Sequence, residues 1–266
     1  MRWLSLFLLI WLLVGCQGAG LPARSPGPAS ETLRQRGVLR VGVRQDVPQF
    51  AYLEPATNAW DGFEVALGRE IAADLFGDPS RVELVRVTAT QRLPFLRDGS
   101  ADVVIAQLRP EAAAEVAVSG PYFRSGVGVL VPARSAATTF EEVGSGPFCV
   151  GKRTAALDTL RSVRPTATTL LVEALTDCLI ALENGQASAA VADLPLLVGL
   201  ARQAPATRIL PTLLTSELFV IGVAPDQPEL LAAVNATLAR LKSSGRWAAL
   251  YQQYFAGLLP PADPPA

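Results

Sequence analysis

From Val38 onward, apolar and polar positions follow two rhythms that take turns along the chain. VLRVGV, RVELVRV and ADVVIAQ are short runs rich in β-branched residues, with the length and composition of strands. Between the first two lies DGFEVALGREIAADLFG, where Phe63, Leu67, Ile71 and Leu75 recur every four residues and so share one helix face. Asp61 or Gly62 stands at the start of that helix, and Gly77 follows its last turn, where glycine closes a helix readily. TQRLPFLRDG predicts a short helix before ADVVIAQ. The rhythm resumes with strands VGVLVPA and FCVGK, helix TAALDTLRSV, strand TTLLV, an amphipathic helix around Cys178, strand AAVADL and helix LPLLVGLARQ. ELFVIGVAP is strand-like, and PELLAAVNATLARLKSSG and RWAALYQQYFAG predict two closing helices.

Strands alternating with helices predict an α/β fold with mainly parallel sheets. The unit strand, helix, strand, short helix, strand occurs once before Tyr122 and again, at similar spacing, between Phe148 and Arg202, which predicts two lobes. Ligands of open α/β sheets bind beyond the carboxyl ends of the strands. Two such sheets facing each other would line a cleft with Asp46 to Phe50, Gln107 to Arg109, Lys152 to Thr154, and Asp193.

Composition narrows the function. Of 266 residues, 50% are hydrophobic and 18% charged, and the formal net charge is -1 with no basic block. That gives no footing for nucleic acid or anionic lipid held by charge, so the expected partner is a small molecule or a protein. The chain has no His and no CxxC, so neither a metal site nor a Ser nucleophile with the common base is indicated, and no cofactor is implied.

The N-terminus adds a compartment. Arg2 followed by WLSLFLLIWLLVG has the shape of a secretory signal over residues 1–15, too short and wrongly flanked for a membrane span. The run ends in LVGC, which resembles a bacterial lipobox; the resemblance implies cleavage before Cys16 and lipid on its thiol, with two or three chains giving stable anchoring. QGAGLPARSPGPAS continues as a Gly, Pro, Ala and Ser tether, so residues 16–30 are expected to be flexible. The body is then extracytoplasmic, in the periplasm or on the outer face of the cell membrane, where disulfides form. Cys149 and Cys178 are either two buried thiols or a bridge worth roughly 3 to 4 kcal/mol.

Six blocks in order carry a specific resemblance: GVLRVGVRQDVPQFAY, GFEVALGREIAADL, LRDGSADVVIA, SGPYF, ALENGQASAAVADLPLL and LLAAVNATLARLKSSGRWAALYQQYF. Together, from about Leu33 to Gly257, the chain resembles the family 3 solute-binding proteins of ABC importers for polar amino acids. The resemblance implies a type II periplasmic binding protein fold, two α/β lobes joined by two crossing strands. Lobe one would span 31–126 and 218–258, lobe two 127–217, with a disordered tail over 259–266. Such proteins close on an amino acid by hinge bending and deliver it to a membrane permease, a task for which a monomer suffices.

Carried over by position, the resemblance implies that Phe50 stacks on the ligand, with Phe63 beside it, and that Asp193 receives the α-ammonium. Phe50 and Phe63 could equally be core residues, and Asp193 a cap for the following helix. Counting back from SGPYF, the family's carboxylate-clamping Arg falls on Ala112, in a turn two residues shorter than usual. Arg109 is the nearby substitute. Lys152, Arg153 and Thr154 stand where the family carries a Gly-Thr-Thr turn before a helix, an anion-binding element. Arg44 resembles an Arg of members that take acidic amino acids, and the Cys149 and Cys178 placement resembles a disulfide of glutamate-type members, so an acidic amino acid is the expected ligand. Asp46 beside Arg44 favours a cationic or amide group instead.

Two rivals remain. An exported dehydratase on the same scaffold needs a general acid in the cleft, for which Glu173 or Glu54 is available. A degenerate sensor would bind a ligand, or none, and signal through a separate protein, since the chain closes on LLPPADPPA.

Overall fold

The computed structural model describes residues 31–266. The signal segment, Cys16 and the tether up to residue 30 lie outside the described residues.

Helix α1 (Glu31–Arg36) leads into strand β1 (Leu39–Val43). A small antiparallel sheet follows, made of β2 (Asp46–Val47), β3 (Ala51–Leu53) and β4 (Trp60–Asp61). Helix α2 (Phe63–Phe76) comes next, then β5 (Val82–Arg86), α3 (Arg92–Arg97), β6 (Val103–Leu108), a 3-10 turn over Pro110–Ala114 and β7 (Ala117–Ser125). The chain then builds β8 (Val127–Pro132), β9 (Phe148–Gly151), α4 (Ala155–Val163), β10 (Thr169–Val172), α5 (Asp177–Glu183), β11 (Ala189–Asp193), α6 (Leu194–Gln203) and β12 (Thr207–Ile209). It ends with β13 (Glu217–Val223), α7 (Pro228–Ser243) and α8 (Arg246–Phe255).

Two five-stranded sheets result, in the orders β5-β1-β6-β13-β7 and β10-β9-β11-β8-β12. In each, one strand opposes its neighbours: β13 is antiparallel to β6 and β7, and β8 to β11 and β12. These are the strands that enter a sheet from the other one, so the reversal follows from the crossing. The two crossings are tied to each other, since Val127 N donates to Thr215 Oγ1 at 2.8 Å and Leu214 N to Val127 O at 2.7 Å. Gly126 lies at the first crossing, where a Cβ would stand 2.1 Å from Thr215 O.

Helix α2 shows how local sequence sets the frame. Gly62 precedes it with φ 129°, and a Cβ there would come within 2.3 Å of Phe50 O, so only glycine fits. Gly77 ends it in the left-handed conformation, donating to Ala73 O. Its inward face meets a cluster of rings: Phe63 lies 5.5 Å from Phe255 and 5.9 Å from Phe123, and Phe50 lies 4.9 Å from Phe123. Rings at these offsets add stability beyond the apolar area they bury. Trp247 Nε1 donates to Tyr122 O at 2.8 Å, so the buried indole keeps its hydrogen bond.

In the second sheet Cys149 of β9 and Cys178 of α5 form a disulfide with Cα atoms 5.5 Å apart, both side chains fully buried. The C-terminal residues, expected to be a disordered tail over 259–266, make contacts with the body. Leu258 and Leu259 pack on the main core, Tyr251 donates to Pro260 O at 3.0 Å and Lys242 Nζ to Pro265 O at 2.6 Å. Proline-rich sequence lacks donors, yet its carbonyls are free to accept, and that fixes the tail here.

Candidate functional site

The carboxyl ends of β1 and β6 in the first sheet face β11 and the start of α6 in the second, across a cleft of about 690 Å³. Arg44, Arg92, Gln107, Arg109, Glu217 and Phe219 line one wall, with Asp193, Pro195 and Leu196 opposite.

Three cations reach this cleft, and the fold treats them differently. Arg44, just past β1, makes a two-pronged pair with Asp46, Nε to Oδ1 at 2.9 Å and Nη2 to Oδ2 at 2.7 Å. That hydrogen bonding holds the Asp46 carboxyl below its ordinary pKa. Arg109 follows β6 and pairs with Glu217 at 2.8 Å, its side chain about half exposed. Arg92 opens α3 and donates from Nε to Ala89 O at 3.0 Å and from Nη1 to Ala106 O at 2.8 Å and Gln107 O at 3.0 Å. Among the described residues it pairs with no carboxylate, and burial, with Arg44 and Arg109 nearby, pulls its pKa down.

On the opposite wall Asp193 ends β11 and stands at the N-cap position of α6, yet its side chain makes no capping hydrogen bond. Among the described residues no cation pairs with it. Among the described residues the facing walls therefore carry Arg92 without a carboxylate partner and Asp193 without a cation partner, with the exposed Glu111 as a second anion without a cation partner and Phe219 and Val47 as apolar surface.

Beneath the cation wall lies a buried acid. Glu64, in the first turn of α2, has no exposed surface. Its Oε1 accepts from Gln107 Nε2 at 2.7 Å, Gln107 N at 3.2 Å and the Tyr122 hydroxyl, and its Oε2 accepts from Gln107 Nε2 at 2.6 Å. Burial pushes the Glu64 carboxyl up to about 7 against the pull of these donors, and raises the Tyr122 hydroxyl well above its usual value.

A family model of bacterial extracellular solute-binding proteins, family 3, matches residues 39–257. This chain belongs to that family. It is 28% identical to the ABC transporter glutamine-binding protein GlnH of Bacillus subtilis, over 94% of both chains. It is 30% identical to a glutamine-binding protein of Geobacillus stearothermophilus, over 88% of this chain and 97% of the relative. Among solved structures, an ancestral cationic amino acid solute-binding protein superposes with a TM-score of 0.71 at 26% identity, covering 84% of this chain and 98% of the other. The solved relatives are type II periplasmic amino acid binding proteins, and the two crossed α/β sheets described above are that fold.

Within this family fold, the sequence-derived site residues separate. Arg44, Gln107, Arg109 and Asp193 come together on the cleft, whereas Asp46 reaches it only as the partner of Arg44. Phe50 and Phe63 do not face it: both are fully buried among Phe123, Phe255 and neighbouring rings, and so offer no face to a ligand. Lys152, Arg153 and Thr154 lie off the cleft wall. Lys152 and Arg153 pair with Glu173 at 3.0 and 3.7 Å, and Thr154 caps α4, its Oγ1 accepting from Leu157 N. Glu173 is thus engaged away from the cleft, and Glu54 caps its own exposed turn through Ala56 N, which removes both from the position a general acid needs. Ala112, where the family's clamp was expected, lines the cleft within the 3-10 turn.

Sequence reasoning missed Arg92, Glu217 and Phe219. Arg92 carried a signal: a cation at a helix N-terminus works against the helix dipole, and such placement calls for a reason. Glu217 and Phe219 carried none, because they reach the cleft only through the second crossing.

Proposed function

We propose that this chain is the substrate-binding component of an ABC importer and holds a polar, zwitterionic amino acid in the cleft. The unpaired Arg92 and Asp193 on facing walls carry this reading. Asp193 takes the α-ammonium and Arg92 a carboxylate, each a charge-assisted hydrogen bond in a partly desolvated place. Arg44 and Arg109 already have Asp46 and Glu217, so among the described residues Arg92 and Asp193 are left as the facing pair of opposite charges without partners. That balance favours an uncharged polar side chain, with L-glutamine first, as the names of two relatives also suggest. An acidic amino acid would have to draw Arg109 or Arg44 from its carboxylate partner.

Closure about Gly126 and residues 210–216 brings Asp193 toward Arg92, and the closed form is the one a permease would accept. Cys16, as the lipid anchor, keeps the body at the membrane.

Calorimetry on the body, refolded to remove carried-over ligand, tests the reading against all twenty amino acids. L-glutamine is expected to bind, L-glutamate more weakly, and Asp193→Asn to bind each at least tenfold more weakly than the wild type does. An amino acid that binds Asp193→Asn as tightly as the wild type would remove this assignment. Expressed with its signal in a bacterium, the full chain should sediment with membranes, and Cys16→Ala should release it; retention of the variant would refute the anchor.

A further inference from the structure

Gln107 takes φ 52°, a left-handed conformation that a residue with a Cβ adopts only at a cost, and it does so on the cleft wall between Arg92 and Arg109. Its main-chain N–H and side-chain amide both point inward to Glu64, while its carbonyl faces outward to Arg92 Nη1. Glu64 is out of reach of any ligand, yet every polar contact it makes is to a donor. A carboxylate, which only accepts, satisfies such a surround; a carboxylic acid brings a hydrogen whose one acceptor there is the Tyr122 hydroxyl oxygen, which already takes the Gln107 N–H at 3.2 Å.

We propose that Glu64 is a positioning residue of the binding cleft: as a carboxylate it clamps Gln107 in its left-handed turn, and through the Gln107 and Ala106 carbonyls it fixes the Arg92 guanidinium. The ligand contact is then set by the charge of a residue the ligand never touches. Arg44 acts on Glu64 from the loop after β1, Tyr122 from β7, and Arg92 from α3; Arg109, after β6, acts on Arg92. Hydrogen bonds from Tyr122 and Gln107 and the charges of Arg44 and Arg92 help keep Glu64 ionised, but its burial works the other way and brings the titration to neutrality. Affinity should therefore follow the ionised fraction of Glu64 in the range where extracytoplasmic pH varies.

The argument for binding rests on the amino-acid reading given above, so the test has an arm that needs no ligand. In 15N-labelled protein without ligand, the Gln107 backbone and side-chain amide resonances should shift together between pH 5.5 and 8.5 with a midpoint near 7, and be flat in Glu64→Gln. With L-glutamine, wild-type affinity should rise as pH is raised across that range. Glu64→Gln should bind about tenfold more weakly at pH 8, with no such slope. Glycine pays nothing for φ 52°, so Glu64→Gln with Gln107→Gly should recover most of the lost affinity. A purely structural Glu64 would change the melting temperature of Glu64→Gln but neither its affinity nor the pH slope, and the double variant would recover nothing; that result overturns the proposal. If no amino acid binds at any pH, the functional reading fails, and the ligand-free resonances still decide the clamp: Gln107 signals that ignore pH overturn it.

Discussion

Asp193 and Arg92 matter because, among the described residues, neither has a partner of opposite charge, whereas Arg109 already has one. Removing a partner from a charge-assisted hydrogen bond costs about 1.5–3 kcal/mol, so Asp193→Asn should weaken amino-acid binding at least tenfold, with little change in the melting temperature of the empty protein. Arg109→Ala should behave differently. Its exposed pair with Glu217 is worth about 0–1 kcal/mol, so calorimetry should find affinity changed less than about fivefold. A loss as large as that of Asp193→Asn would make Arg109 a ligand contact and Glu217 only its resting partner. The sequence made Arg109 conspicuous by its setting after an apolar strand, but it could not show the acid that occupies it.

Among the elements, those with a strong internal rhythm were legible: α2, α7 and α8 by their four-residue spacing, β1 and β6 by β-branched runs and β11 by a short apolar run. β7 was not, because Gly120 and Pro121 break its pattern, and it is held as a strand by long-range pairing to β13. The two- and three-residue strands β2, β3 and β4 are equally silent, since they are too short for a rhythm and their pairing comes from the turns over residues 48–50 and 54–59. The same distinction explains Phe50 and Phe63. An aromatic just before a short strand or at a helix start reads alike whether it meets a ligand or other rings, and only the folded arrangement of Phe123 and Phe255 decides. The Cys149 to Cys178 bridge joins β9 to α5 beside the second sheet, closing a loop for which chain entropy gives about 3.5 kcal/mol. Cys149→Ser with Cys178→Ser should lower unfolding free energy by about that amount in denaturant titration, with ligand affinity nearly unchanged, because neither sulfur lies near the cleft.

For the whole molecule, Glu64 couples stability and binding to pH with opposite signs. Its folded pKa, about 7, lies above the ordinary 4.5, so folding favours the protonated form. The stability it contributes is complete below pH 4.5 and is lost as pH rises through 7, a difference of about 3 kcal/mol at most. Asp46 and Glu70, held low by Arg44 and by Arg240 with Arg246, act in the reverse sense, and their contribution disappears only on acidification below the usual carboxylate range. Between pH 5 and 8 the Glu64 slope should therefore dominate: the wild type unfolds at lower urea concentration at pH 8 than at pH 5.5, and Glu64→Gln removes most of that difference. Ligand affinity, if the clamp acts as a carboxylate, rises over the same interval. The protein would then be least stable where it binds best, because the charge that orders Gln107 and Arg92 is the one the core disfavours. Parallel urea titrations and calorimetry at four pH values test this directly. Stability and affinity that rise together with pH would mean that Glu64 stays ionised throughout and that another group sets the profile.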